Sequence, residues 1–165
     1  MVGTLPPKGR SEMTLRPLTI LLLVSVFLIL PPLGSPAAAK DPVYTGTFGN
    51  LALSGFDAVA YFVEGKPVEG LGDLEYDWNG ATWRFANQAN LEAFQAAPGT
   101  YAPQYGGYCA WAVSQGYTAS ADPDAWRIVE VKLYLNYSKS VQRRWEKDIP
   151  GNIKRADTNW PKVLQ

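Results

Sequence analysis

An asparagine-glycine pair at residues 79 and 80 is the feature that most restricts how this chain folds. Asn-Gly supplies the two positive φ angles of a type I′ turn, and the residues on both sides alternate between apolar and polar. The pattern predicts a β-hairpin over residues 74–78 and 81–85. Its buried face is expected to contain the apolar members of the alternation, which are Leu74, Tyr76, Trp78, Trp83 and Phe85.

Helical signals follow this hairpin. Asn87 is placed to cap a helix whose apolar stripe includes Leu91 and Phe94, and Pro98-Gly99 is expected to end it. Before the hairpin, the apolar segment 56–62 fits a short buried strand and a turn of helix equally well.

The second half of the chain predicts further short elements. We expect a short helix over residues 108–114, a turn or helix start at 122–124, and a strand pair within 128–137. Ser138 is placed to cap the next helix, and a last helix runs toward Trp160. This order of strands and helices predicts an α+β fold, a small single domain of β-hairpins packed against several short helices. No internal repeat is visible in the sequence.

The N-terminus has the pattern of a secretory signal peptide. Lys8, Arg10 and Arg16 precede the apolar run 18–30, which is shorter than the ~20 residues needed to cross a bilayer. The small residues at 37–39 predict cleavage before Lys40. We therefore expect a signal peptide at 1–39, an irregular segment at 40–50, a domain at 51–165, and a periplasmic or secreted protein without a stable membrane anchor after cleavage.

Charge and residue usage exclude several functions. The predicted cleavage removes three bases and one acid from a chain with 15 of each, so the mature net charge is about −2 and nucleic acid is not an expected partner. The chain has no histidine, which excludes imidazole catalysis and imidazole metal ligation. Cys109 is its one cysteine, so no intramolecular disulfide forms.

Several separated blocks of the sequence resemble the YHS-domain family. They are residues 54–62, the hairpin end Trp83-Arg84-Phe85, and the segment Tyr105-Gly106-Gly107-Tyr108-Cys109-Ala110. A further block over residues 133–153 is similar to the exported bacterial branch, the YHS-domain (seleno)proteins. The resemblance covers residues 50–163.

The resemblance bears on two kinds of chemistry, metal binding and redox chemistry. Metal-binding YHS domains place cysteines just after the second hairpin strand and early in the next helix, and the matching positions here are Ala86 and Asn90, neither of which binds a soft metal. Some members of the exported branch carry selenocysteine at the position that matches Cys109. That match implies redox chemistry at this residue.

Cys109 is the candidate redox thiol, and three interpretations stay open. An inert thiol buried among apolar neighbours is one, because cysteine is among the most buried residue types. A reactive thiol in the first turn of a short helix is the second. In the third, Cys109 supplies one ligand to a copper or zinc ion, which is the cofactor that we consider.

The candidate ligand-binding residues are one carboxylate and a group around a Gly-Gly turn. Asp57 interrupts an apolar segment, so it either anchors a turn or presents a polar group in a pocket near Tyr61. Tyrosines and tryptophans near the Gly-Gly turn either fill the core or stack against a small molecule or glycan. The candidates at the turn itself are Tyr105, Gly106, Gly107 and Tyr108.

Three functions are consistent with these residues. We expect a non-enzymatic exported module that handles a metal ion or a redox stress through Cys109. The first alternative is a thiol-dependent reductase that needs an external resolving thiol. The second is a binding module whose aromatic cluster takes a small molecule or a periplasmic protein partner.

Overall fold

A computed structural model describes residues 1–4, 9, 39–46 and 49–165 of the chain. The predicted signal peptide lies outside the described residues, apart from residues 1–4, 9 and 39. Residues 39–46 and 49–50 form neither helix nor strand. The described residues from 39 onward belong to one compact unit. Within the described part of the chain, none of the helices has the length and apolar character needed to cross a membrane.

The fold is α+β, as the sequence predicts, and its first half is built around the Asn-Gly hairpin. Strand β1 (Leu71–Trp78) pairs antiparallel with β2 (Ala81–Phe85). Asn79 and Gly80 adopt φ angles of 52° and 80°, as a type I′ turn requires. A short helix α1 (Ala60–Val63) precedes the hairpin, so the apolar segment 56–62 contains a helical turn rather than a strand.

The hairpin packs against the helix that follows it. Helix α2 (Gln88–Ala96) begins where the Asn87 side chain accepts a hydrogen bond from the Asn90 N–H at 2.9 Å, as predicted. Phe94 of α2 is fully buried, with ring centroids 4.9 Å from Trp83 and 5.1 Å from Phe85. Pro98 then starts a further short helix, α3 (Pro98–Tyr101).

The second half repeats this order of elements, and its last helix has 11 residues where α3 has four. Its elements are α4 (Ala110–Ser114), β3 (Asp122–Val129), β4 (Lys132–Asn136), α5 (Lys139–Trp145) and α6 (Ile149–Asn159). The prediction of a turn at residues 122–124 was wrong, because these residues begin β3. The pairing of β3 with β4 is irregular between Asp122 and Trp126, which explains why no strand alternation is visible there.

The two halves share their backbone geometry, although no repeat is visible in the sequence. Adding 51 to the residue numbers of the first hairpin reproduces the register of the second, so that the pair Tyr76–Trp83 corresponds to Arg127–Tyr134. The register shift between residues 71 and 75 likewise recurs between 122 and 126. Ser138 caps α5 as Asn87 caps α2. The domain therefore consists of two copies of one unit.

The equivalence extends to the turns that precede α1 and α4. Residues 53–55 and 105–107 each have three successive positive φ angles. The next residue donates a backbone hydrogen bond to the first residue of the turn, at 3.1 Å in the first copy and 3.0 Å in the second. After each turn, the N–H of Asp57 bonds to the carbonyl of Val68 at 2.8 Å, and the N–H of Cys109 bonds to that of Ala119 at 3.0 Å. Asp57 and Cys109 thus occupy equivalent positions.

Strand β4 joins the two copies into one domain. Leu133 and Leu135 lie in the core that contains Phe94, whereas Tyr134 between them lies in a second core with Trp145. Both faces of β4 are buried, since all three side chains are at most 3% exposed. The two cores therefore share a wall.

Candidate functional site

Asp57 is a fully buried carboxylate that is saturated with hydrogen bonds. Its Oδ1 accepts from the N–H groups of Val59 and Ala60 at 2.8 and 3.2 Å. Its Oδ2 accepts from the N–H of Ala86 at 2.9 Å and from Nδ2 of Asn90 at 2.6 Å. These bonds compensate the cost of burying the charge and tie α1 to the start of α2. The arrangement corresponds to the turn anchor that the sequence analysis weighed.

Tyr61 lies in the same buried region and also has its polar atom satisfied. Its hydroxyl donates to the carbonyl of Pro123 at 3.0 Å, and its ring meets Trp126 edge-on at 5.3 Å. Burial, followed by the nearby carboxylates Asp124 and Asp122, raises the pKa of this phenol well above its ordinary value. Tyr61 therefore links the first copy to β3 as a neutral phenol.

Positions 86 and 90 both contact the Asp57 carboxylate, but they do not form a metal site. Ala86 contributes only its backbone N–H, and Asn90 contributes the donor end of its amide. Soft metals require thiolate or imidazole ligands, which these residues lack. Across the described residues, no group of three or more cysteine, aspartate or glutamate side chains is placed to hold an ion. The residues present do not fit a copper or zinc centre.

Cys109 occupies the position of Asp57 in the second copy and is 1% exposed. Its Sγ accepts a hydrogen bond from the N–H of Tyr137 at 3.2 Å, which is the counterpart of the bond from Ala86 to Asp57. Burial raises the pKa of the thiol, and the backbone amides of Ala112, Tyr137 and Trp111 only partly oppose that effect. Cys109 is therefore a protonated thiol at neutral pH.

Cys109 lines a cavity of about 270 Å³ that we call the Cys109 pocket. The guanidinium of Arg144 lies 5.7 Å from the centroid of the Trp111 ring, within range of a cation–π contact. Tyr117 and Tyr137 stand at its mouth and are 52% and 58% exposed. The complete lining comprises Cys109, Trp111, Ala112, Tyr117, Ala119, Tyr137, Val141 and Arg144.

The difference between the two copies explains why this pocket exists. In the first copy, the Asn90 amide donates a hydrogen bond to the Asp57 carboxylate at 2.6 Å. Its counterpart in the second copy is Val141, which has no polar side-chain group and lines the cavity. The same helix position therefore carries a hydrogen-bonded amide in one copy and an apolar pocket wall in the other.

Asn136 adds a buried polar group beside the sulfur. Its Oδ1 accepts from the N–H of Trp111 at 3.3 Å and lies 4.0 Å from Sγ of Cys109. Its Nδ2 is buried and has no hydrogen-bond partner among the described residues. A buried donor without a partner is unfavourable, so the neighbourhood of Cys109 is less completely satisfied than that of Asp57.

The residues of the Gly-Gly turn lie elsewhere and hold the N-terminal segment. The Tyr108 hydroxyl donates to the carbonyl of Asp41 at 2.9 Å, and the N–H of Tyr44 donates to the carbonyl of Gly106 at 2.8 Å. A Cβ at Gly106 would overlap the Pro42 carbonyl, so this position requires glycine. Gly107 has a positive φ of 81° and is buried.

Tyr105 combines a structural contact with a place beside a second cavity. Its hydroxyl donates to the Asp157 carboxylate at 2.8 Å, and burial together with this bond raises the pKa of the phenol. Tyr105 and Gly106 border a cavity of about 290 Å³ that is also lined by Trp78, Trp83 and Trp160. The structure thus separates the predicted turn residues from the Cys109 pocket.

Three lining residues of the Cys109 pocket had no functional role in the sequence analysis. Val141 and Arg144 are three residues apart on one face of α5, and Tyr137 lies two residues before that helix begins. The spacing alone could have grouped them, but only the fold brings Cys109 against that face.

Comparison with protein-family models, with curated proteins and with solved structures gave no significant match.

Proposed function

We propose that this domain is a non-enzymatic binding module of an exported protein and that its ligand site is the Cys109 pocket. The observation that carries the proposal is the contrast between the two copies. One copy closes the site with the Asp57–Asn90 hydrogen bond, and the other leaves a cavity with aromatic walls at the same place. A concave, mainly apolar site with a few polar groups is what small-molecule binding requires.

The chemistry of the pocket favours binding over thiol catalysis. A nucleophilic cysteine needs a lowered pKa or an adjacent base, whereas burial raises the pKa of Cys109. The chain has no histidine, and no carboxylate lines the pocket. The thiol therefore supplies a small, neutral floor for a bound molecule.

The test compares the natural pocket with one that is closed as in the first copy. Cys109→Asp combined with Val141→Asn places the Asp57–Asn90 pair at the equivalent positions. Single-ring fragments would be screened by ligand-observed NMR against the wild-type protein and this double variant. We expect a subset of fragments to bind the wild type and to lose binding in the closed variant.

A second variant makes this result independent of the buried charge. Val141→Phe fills the cavity with an apolar ring and leaves Cys109 unchanged, and it should abolish the same set of fragment signals. The proposal is wrong if no fragment binds the wild-type protein, or if the fragments bind all three proteins equally.

A further inference from the structure

The geometry points to a single-ring aromatic carboxylate as the ligand class of the Cys109 pocket. This inference rests on the proposed function, because it specifies what the same site takes. Three features of the pocket support it: its volume, the nature of its walls, and the one charge on its rim.

The volume of the pocket suits a fragment-sized ligand. Pockets for drug-sized ligands and cofactors enclose ~300–1,000 Å³, whereas the Cys109 pocket encloses about 270 Å³. A nucleotide, a flavin or a haem would not be enclosed. One ring with a short polar substituent matches this space.

The walls favour a flat ring. Trp111, Tyr117 and Tyr137 are the aromatic lining residues, and the other uncharged side chains of the lining are Ala112, Ala119, Val141 and the protonated thiol. Aromatic rings stack offset or edge-to-face on such surfaces, which contributes beyond simple burial. The interior offers no charged partner, so the apolar part of the ligand lies on the floor.

The rim carries one charge, and it is positive. Arg144 is the only charged residue of the lining. Among the described residues, no carboxylate lies within the 4.0 Å of its guanidinium that would make an ion pair. An arginine side chain can bind a carboxylate through two parallel hydrogen bonds. The guanidinium of Arg144 lies over the Trp111 ring, beside the space proposed for the aromatic ring of the ligand. A carboxylate on the ring would reach Arg144 at the mouth.

Benzoate is the probe that tests this inference, with benzamide as its neutral isostere and cyclohexanecarboxylate as its non-aromatic counterpart. Affinities would be measured by two-dimensional NMR titration of the whole protein. We expect benzoate to bind at least about tenfold more tightly than benzamide, because the charge-assisted bond to Arg144 is lost in the amide. Cyclohexanecarboxylate should bind several-fold more weakly than benzoate because it cannot stack.

Arg144→Gln and Arg143→Gln form the matched pair of variants. Arg143 is also exposed on α5 but does not line the pocket. We expect Arg144→Gln to abolish the preference for benzoate over benzamide and Arg143→Gln to retain it. Equal binding of the two probes to the wild type, or an unchanged preference in Arg144→Gln, overturns the carboxylate assignment.

The outcomes separate this inference from the proposed function. One outcome is that neutral fragments bind the wild type but not the closed variant, while benzoate binds no more tightly than benzamide. In that case the proposed function of the pocket is supported and the assignment of the ligand class is wrong. If benzoate and cyclohexanecarboxylate bind equally, the aromatic part of the assignment is wrong. If no probe binds, or if binding survives closure of the pocket, the proposed function fails together with the inference.

Discussion

At the scale of the residue, Asp57 and Cys109 are different side chains at equivalent backbone positions of the two copies. Both follow a left-handed turn, and both accept a hydrogen bond from the residue after the second hairpin strand. The carboxylate accepts hydrogen bonds from four donors. The thiol has fewer donors, and its neutral form is the favoured one in the folded protein. The same backbone thus holds a carboxyl side chain in one copy and a thiol in the other.

The raised pKa of Cys109 predicts a loss of stability at alkaline pH. The folded protein favours the protonated thiol, so this contribution is complete below the unfolded cysteine pKa of ~8.5 and is lost as the pH rises through the higher folded value. We expect the free energy of unfolding of the wild type to fall relative to that of Cys109→Ser above about pH 8.5. Urea unfolding of both proteins at a series of pH values measures this difference. Both proteins contain the same tyrosines, so the titration of tyrosine cancels in the comparison. The prediction is contradicted if the free energy of unfolding of the wild type stays constant or rises relative to that of Cys109→Ser as the pH increases.

The two hairpin turns show how one element tolerates unequal sequences. In the first turn, the positive φ angles are adopted by Asn79 and Gly80, which are residue types suited to that conformation. In the corresponding turn of the second hairpin, Glu130 and Val131 adopt φ angles of 48° and 58°. Positive φ is unfavourable for a β-branched side chain. Val131 is moreover 79% exposed, so it recovers little of that cost through burial. The second hairpin is therefore held in register by its packing rather than by its turn.

Exchanging the turn residues tests this view. Glu130→Asn together with Val131→Gly should raise the free energy of unfolding by about 1 kcal/mol, because the type I′ turn then contains its preferred residues. The reverse change, Gly80→Val in the first hairpin, should lower it by a similar amount. Thermal unfolding followed by circular dichroism measures both. An unchanged or lower stability of the Asn-Gly variant would show that the second turn is not strained.

At the scale of the whole molecule, β4 makes the two copies interdependent. Leu133 and Leu135 complete the core beneath the first hairpin, although they belong to the second copy. Tyr134 faces the other way into the second core. Neither copy has a complete apolar interior by itself, so the two should unfold together.

Leu133→Ala tests this interdependence. Removing the fully buried side chain should cost about 2–5 kcal/mol and should reduce hydrogen-exchange protection in α2 and α5 alike. Leu71→Ala is the matched control, because Leu71 is 50% exposed and its loss should cost much less. Loss of protection confined to α2 would indicate that the copies unfold separately.

The sequence predicted those elements whose signals are local. The Asn-Gly turn located the first hairpin, and the side chains of Asn87 and Ser138 located the starts of α2 and α5, because capping and turn formation depend on a few neighbouring residues. The α+β class followed from the order of these elements.

The duplication and the pocket were not predictable in the same way. The copies share φ angles, register and backbone hydrogen bonds, whereas Asp57 corresponds to Cys109 and Asn90 corresponds to Val141. Because the side chains at equivalent positions differ, the sequence does not show that the backbones of the two copies are equivalent. The pocket likewise depends on long-range packing, since β3 and β4 separate Cys109 from α5 along the chain.

The N-terminal segment brings the start of the folded unit next to its C-terminus. The N–H of Lys40 donates to the carbonyl of Leu164 at 2.7 Å, so the start of the folded unit lies beside its last residues. A short peptide that joined residue 165 to residue 40 would span hardly any distance in the native state. Such a bridge would restrict mainly the unfolded ensemble and should therefore stabilise the native state.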